Sequence, residues 1–179
     1  MRLFVGIALP EMVRERLASL RYGIPGARWV EPANLHITLR FIGEVGRTEA
    51  EDVDAELAAV HAPAFALTVV GVGFFDKADR VHTLWAGIER CDALAHLYDK
   101  IESAVVRCGH EPERRKFTPH VTLARLKNTP NGRLGPMLES WSTFQAGSFP
   151  VEAFTLFESF PGRDGAHYEH LADYPLNAE

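Results

Sequence analysis

The chain has 179 residues, 46% of them hydrophobic and 24% charged, with a formal net charge of −5 at pH 7. That describes an ordinary soluble globular protein with a sizeable core: a single domain over residues 1–179, either one unit or one domain of two similar lobes. The acidic balance excludes a protein that coats long nucleic acid through a broad basic surface. It leaves room for a small phosphorylated ligand or an RNA end held by a few local charges.

No run is long enough to span a bilayer, and the opening residues lack a secretory leader pattern. Cys91 and Cys108 form no C-x-x-C pair and read as two buried or half-buried thiols, which points to the cytoplasm. Residues 3–9 alternate as a first strand. Pro10 and Glu11 suit the start of a helix whose apolar stripe is Met12, Val13, Leu17 and Leu20, with Gly23 as its stop. After a turn-rich stretch comes a strand over residues 35–44. Thr48 and Glu51 have the spacing of a capping box, opening a helix with Val53, Leu57 and Val60 on its apolar side and Pro63 beyond it. Residues 65–75 and 80–88 read as a hairpin pair joined by residues 76–79. A third helix follows over residues 92–108, carrying Leu94, Leu97, Ile101 and Val105, with Gly109 at its end. Residues 111–116 are a solvated charge run. A strand over 119–126 precedes a loop over 128–135, a weakly signalled short helix over 138–141, and two closing strands over 149–158 and 168–176. Each of the strands 35–44 and 119–126 is preceded by a strand–helix unit, a weak internal repeat.

Within those two strands lies the same motif: His36-Ile37-Thr38-Leu39 and His120-Val121-Thr122-Leu123. Strand alternation puts His36 with Thr38, and His120 with Thr122, on one face, and their apolar neighbours in the core. Composition alone predicts fewer than one His-x-Thr-Leu in a chain this short. Zinc wants a third protein ligand, and a threonine hydroxyl is a poor one. His167 and His170 point to opposite faces of a strand, so neither they nor the motifs read as a metal site, and no cofactor is expected. An acid/base pair fits better. Histidine titrates near pH 6.5, so one ring can take a proton from water while the other gives one to a leaving oxygen. A cyclic 2′,3′-phosphate, being strained, is a substrate easy enough for such a pair without metal. His82 lacks the intervening residue of the motif and is read as a decoy. His61, His96 and His110 fall on helix faces or ends as surface residues.

The stretches 36–44 and 117–125 resemble the paired motifs of the two-histidine phosphoesterases. The whole chain resembles the bacterial and archaeal RNA 2′,3′-cyclic phosphodiesterases, formerly called 2′-5′ RNA ligases. Residues 2–7, 29–35, 84–87 and 154–159 fit that family as well. The resemblance implies a bilobal α+β fold: two pseudo-symmetric lobes, each with an antiparallel sheet and flanking helices, with the motif strands lining a central cleft. It implies hydrolysis of terminal ribonucleoside 2′,3′-cyclic phosphates to 2′-phosphates, with RNA 3′ ends or nucleotides as the partners. His36 carries over as proton donor and His120 as proton acceptor, roles the residues themselves do not distinguish. Thr38 and Thr122 carry over as phosphate contacts. Arg125 is expected near the phosphate or base, although alternation turns it away from His120 unless a bulge re-aims it. Arg40 shares the His36 face and is a further phosphate contact. Phe4 and Tyr168 are the aromatic platforms expected for a base, because stacking tolerates any base. Phe41 alternates to the core. No obligate protein partner is marked, and a monomer is expected. The alternatives are a 2′-5′ phosphodiesterase or ligase, an ADP-ribose cyclic phosphate phosphodiesterase, and a non-catalytic RNA-end binding module.

Overall fold

The computed structural model describes residues 1–21 and 23–177, apart from the side chains of Asn128 and Asn131. Five successive residues of the strand Arg2–Ala8 (β1) are buried. An unbroken buried run of that length belongs inside a sheet. It lies there, antiparallel to both neighbours: the first motif strand His36–Glu44 (β3) and the strand Ala153–Phe160 (β8). The remaining strands are Arg28–Trp29 (β2), Phe65–Lys77 (β4), Arg80–Ile88 (β5), His120–Pro130 (β6), Gln145–Val151 (β7) and His167–Pro175 (β9). The helices are Glu11–Ala18 (α1), Arg47–Ala58 (α2), Asp92–Arg107 (α3) and Asn131–Ser140 (α4).

The fold is α+β, as expected. Among the described residues the strand order is β7-β4-β5-β6-β3-β1-β8-β9, with β2 paired to β6. The two separate sheets expected are instead continuous. The four-strand runs β7-β4-β5-β6 and β3-β1-β8-β9 share one backbone pair, Ile37 opposite Val121. Beyond that pair β3 and β6 part, and β2 takes over the vacated edge of β6 at Ala124 and Arg125. The two motifs therefore start side by side.

The helices cover the sheet with apolar stripes. On α3, Leu94, Leu97, Ile101, Ala104 and Val105 are buried at helical spacing, and Gly109, at φ +94°, turns the chain out. Burying each of the larger side chains contributes about 1.5–3 kcal/mol. This helix packs against β3 and α2.

Several local expectations change. Met12 faces solvent, so the α1 stripe is Val13 and Leu17. The Thr48–Glu51 capping box does not form, because the helix begins at Arg47 with Gly46 at its N-cap. The loop expected over 128–135 is the end of β6 and the first half of α4. Gly132, Gly135 and Pro136 argue locally against that helix; Leu134, buried, with Met137 and Leu138 against the core, overrides them. The single strand expected over 149–158 breaks at Glu152, since β7 pairs with β4 while β8 pairs with β1 and β9. The side chain of His110 is largely covered and meets Glu49 at 3.3 Å.

Candidate active site

Both motif strands bulge at the leucine of His-x-Thr-Leu. Against β1, Arg40 stands opposite Val5 but Thr38 opposite Gly6, which leaves Leu39 as the extra residue. Against β5, Ala124 stands opposite Leu84 but Thr122 opposite Trp85, which leaves Leu123 extra. A one-residue slip sends every later side chain to the other face. The second bulge therefore turns Arg125 to the face of His120. The first does the same to Phe41, which is 55% exposed and lines the same cleft as His36 rather than lying in the core.

The two histidines are held alike. His36 Nδ1 donates to the Asn34 carbonyl at 2.6 Å, and His120 Nδ1 to the Thr118 carbonyl at 2.7 Å. A carbonyl only accepts, so each neutral ring carries its proton on Nδ1 and its lone pair on Nε2. His36 Nε2 lies 2.9 Å from Thr38 Oγ1. Each ring also meets one aromatic edge-on: Tyr168 against His36 at 5.1 Å and 88°, Phe75 against His120 at 5.0 Å and 86°. Phe75 carries no sequence signal of its own. The tight β4–β5 hairpin, turning on Ala78 and Asp79 with positive φ, brings it opposite Thr83 and beside Trp85.

Burial pushes the His36 imidazole below its usual value; the Asn34 carbonyl opposes this, and a proton on His120 adds to it. Burial likewise lowers His120, opposed by the Thr118 carbonyl and assisted by the Arg125 guanidinium. Near neutral pH both rings therefore favour the neutral form. An anion placed between them favours protonation of one.

A cleft of about 1260 Å³ is lined by His36, Thr38, Phe41, Phe75, His120, Thr122, Arg125 and Tyr168, among others. Arg125 donates to Thr83 Oγ1 at 2.9 Å; the Thr83 hydroxyl lies 2.9 Å from His82 Nδ1, and His82 borders the cleft as well. Two expected contacts are placed otherwise. Phe4 is 2% exposed, stacked on Phe157 at 4.9 Å beneath His36, and so forms the floor under the ring rather than a platform for a base. Arg40 borders the cleft, but its guanidinium is engaged inward. It meets Glu102 at 2.5 Å and donates to the carbonyls of Phe41 and Glu111, clamping β3 to α3 and the charge run. His167 and His170 meet Glu169 and Asp173, at 3.5 and 3.8 Å.

A family model described as the 2′-5′ RNA ligase superfamily matches residues 9–160. The chain belongs to this superfamily. A curated Aeropyrum pernix member, an RNA 2′,3′-cyclic phosphodiesterase, is 36% identical over 163 residues, covering 87% of this chain and 92% of its own. A solved Thermus thermophilus protein matches at TM-score 0.81 and 27% identity over 100% of both chains. E. coli LigT, solved in complex with 3′-AMP, matches at TM-score 0.78 and 29% identity, covering 98% of this chain and 97% of that one.

Proposed function

We propose that this single domain, residues 1–179, hydrolyses terminal 2′,3′-cyclic phosphates of RNA or of nucleotides to 2′-phosphates, as a cyclic phosphodiesterase. One observation carries the mechanism: two imidazoles, each pinned at Nδ1 by a backbone carbonyl, keep Nε2 for chemistry at one cleft beside Arg125. The substrate phosphate, an anion, meets Arg125, Thr38 and Thr122 and raises the proton affinity of the ring nearest the leaving oxygen. His120 Nε2 takes a proton from water as the water oxygen bonds to phosphorus. His36 Nε2 gives its proton to O3′ as the P–O3′ bond breaks, leaving a 2′-phosphate and a free 3′-hydroxyl. Phe41, exposed in the cleft, and Tyr168 offer faces on which a base stacks.

The match to the 2′-5′ RNA ligase superfamily favours one second reading. If a 5′-hydroxyl replaces the water, His120 deprotonates it and the same step joins two RNA ends through a 2′-5′ bond. We place the protein in the cytoplasm as a monomer acting on RNA 3′ ends or nucleotides. The reading is supported by Cys91 and Cys108, both unpaired. No helix of the described residues is long and apolar enough to cross a membrane.

Phosphorus NMR of a 2′,3′-cyclic nucleotide with the protein in excess chelator, beside a His120→Ala variant, tests the reaction. Conversion to the 2′-phosphate by the native protein alone is expected. Turnover that needs added metal, or equal turnover by the variant, overturns the two-histidine mechanism.

A further inference from the structure

The two histidines are pinned alike at Nδ1, yet only one of the pinning residues also uses its side chain to reach another part of the fold. Asn34 closes the single 3-10 turn Pro32–Asn34 that leads into β3. Its carbonyl accepts from His36 Nδ1 at 2.6 Å, and its side-chain amide donates to the Ala166 carbonyl at 2.7 Å. Ala166 sits between the turn of the β8–β9 hairpin and Tyr168, whose ring stands edge-on to His36 at 5.1 Å. The contacts close a circuit from Asn34 to Ala166, along two residues to Tyr168, across to His36 and back to Asn34. At the matching place before His120, the Thr118 side chain is exposed and makes no such bond among the described residues.

We propose that Asn34 is a positioning residue whose amide ties the β8–β9 turn over the His36 ring, holding the Tyr168 wall that orients and encloses that ring. The inference rests on the acid/base reading of His36. The circuit spans 132 residues of sequence, and without the amide no other side chain from the Pro32–Asn34 turn holds the hairpin among the described residues. The half-buried Asn34 also lines the cleft, so the tie lies at the edge of the site. Enclosure is the main cause of the low proton affinity of His36. Loosening the hairpin therefore moves that affinity up toward the exposed value of about 6.5. The titratable groups facing His36 are Tyr168 from β9 and His120 from β6, whereas Phe4 from β1 and Phe157 from β8 are apolar.

Asn34→Ala removes the tie and keeps the carbonyl; Asn34→Asp keeps the shape but presents an acceptor to the Ala166 carbonyl. NMR titration of the imidazole resonances, without substrate, reads His36 and His120 separately. Expected are an upward shift of the His36 midpoint in Asn34→Ala with His120 unmoved, and a larger upward shift in Asn34→Asp, whose charge stands beside the ring. With cyclic nucleotide, kcat of Asn34→Ala is expected to fall about tenfold with KM changed less than twofold, the scale of a sub-ångström misplacement. Unchanged His36 titration and kcat in a folded variant overturn the proposal, as does a lower Tm with both unchanged. If Asn34→Ala fails to fold, Asn34→Leu, close in shape but uncharged and without the amide donor, decides by the same titration and kcat. A native protein inert to cyclic phosphates refutes the proposed function, while the titration still judges the tie.

Discussion

Gly6 of β1 stands opposite Thr38, and the backbone of β3 runs close above it. A Cβ added at Gly6 would lie 2.7 Å from the Ile37 carbonyl oxygen and 3.5 Å from Cδ2 of His36. Ile37 sits between His36 and Thr38, so anything that moves its carbonyl moves both of these side chains of the proposed site. Bringing a 2.7 Å contact out to ordinary van der Waals distance needs a displacement of about 0.7 Å. Misplacing a reacting group by 1 Å costs roughly 10²-fold, so Gly6→Ala is expected to lower kcat by about ten- to thirtyfold. Overpacking of this kind also costs about 1–3 kcal/mol of stability. Urea unfolding and turnover of a 2′,3′-cyclic nucleotide separate the two effects. Gly132→Ala, in α4 with nothing within 4 Å of the new Cβ, is the control: about 0.5–1 kcal/mol more stable and equally active. A folded Gly6→Ala protein with turnover within twofold of the native enzyme refutes the reasoning that placement of β3 sets the rate.

Removing Arg125 takes away a positive charge that lowers His120. Arg125→Ala should therefore move the acidic limb of the kcat/KM profile to higher pH and cut kcat/KM by about 10–100-fold, read from initial rates across pH. Phe41→Ala is expected to raise KM about tenfold, the worth of a stacked base, without altering the unfolding midpoint of so exposed a side chain. Arg40→Met takes the ion-pair partner from Glu102 and leaves it only the Glu113 N–H at 2.8 Å, so stability should fall by about 3 kcal/mol in urea while the folded fraction keeps its kcat. Recovery of stability in Arg40→Met/Glu102→Met would confirm the clamp, and a specific loss of phosphate affinity would return Arg40 to the substrate. His36 and His120 both bind protons less readily folded than unfolded. The stability linked to them is complete above about pH 6.5 and is lost as pH falls through their lower folded values. Acidification from pH 7 to 5 should therefore lower the urea midpoint less in His36→Gln than in the native protein.

The doubled motif was legible because His-x-Thr-Leu keeps its two polar side chains on one face wherever a strand forms. The bulges were not, since an extra residue in a strand is a property of the pairing and leaves no mark in a single segment. Arg125 needed such a bulge to face His120, and it is there at Leu123; the twin at Leu39 overturned the alternation that sent Phe41 inward. Arg40 read as a phosphate contact because its partners, Glu102 and the Glu111 carbonyl, lie 62 and 71 residues away. Phe4 was an apolar residue in a strand, and only the order of strands told whether it lined the cleft or lay beneath it. The helix α4 was masked by its glycines and proline, and the break at Glu152 by the unbroken apolar alternation on either side.

The strand order has a consequence for synthesis. The run that carries His120 is drawn wholly from residues 65–151, so all its strands are available together. The run that carries His36 combines residues 2–44 with residues 153–175. As the chain emerges from a ribosome, β1 has one neighbour and an open edge until β8 follows, a delay on the order of 10 s at ordinary elongation rates. Phe4 waits as long for Phe157, its stacking partner. Tyr168, which stands edge-on to His36, arrives later still, on β9. During that interval the apolar stretch 2–8 is the segment most exposed to pairing with the wrong strand.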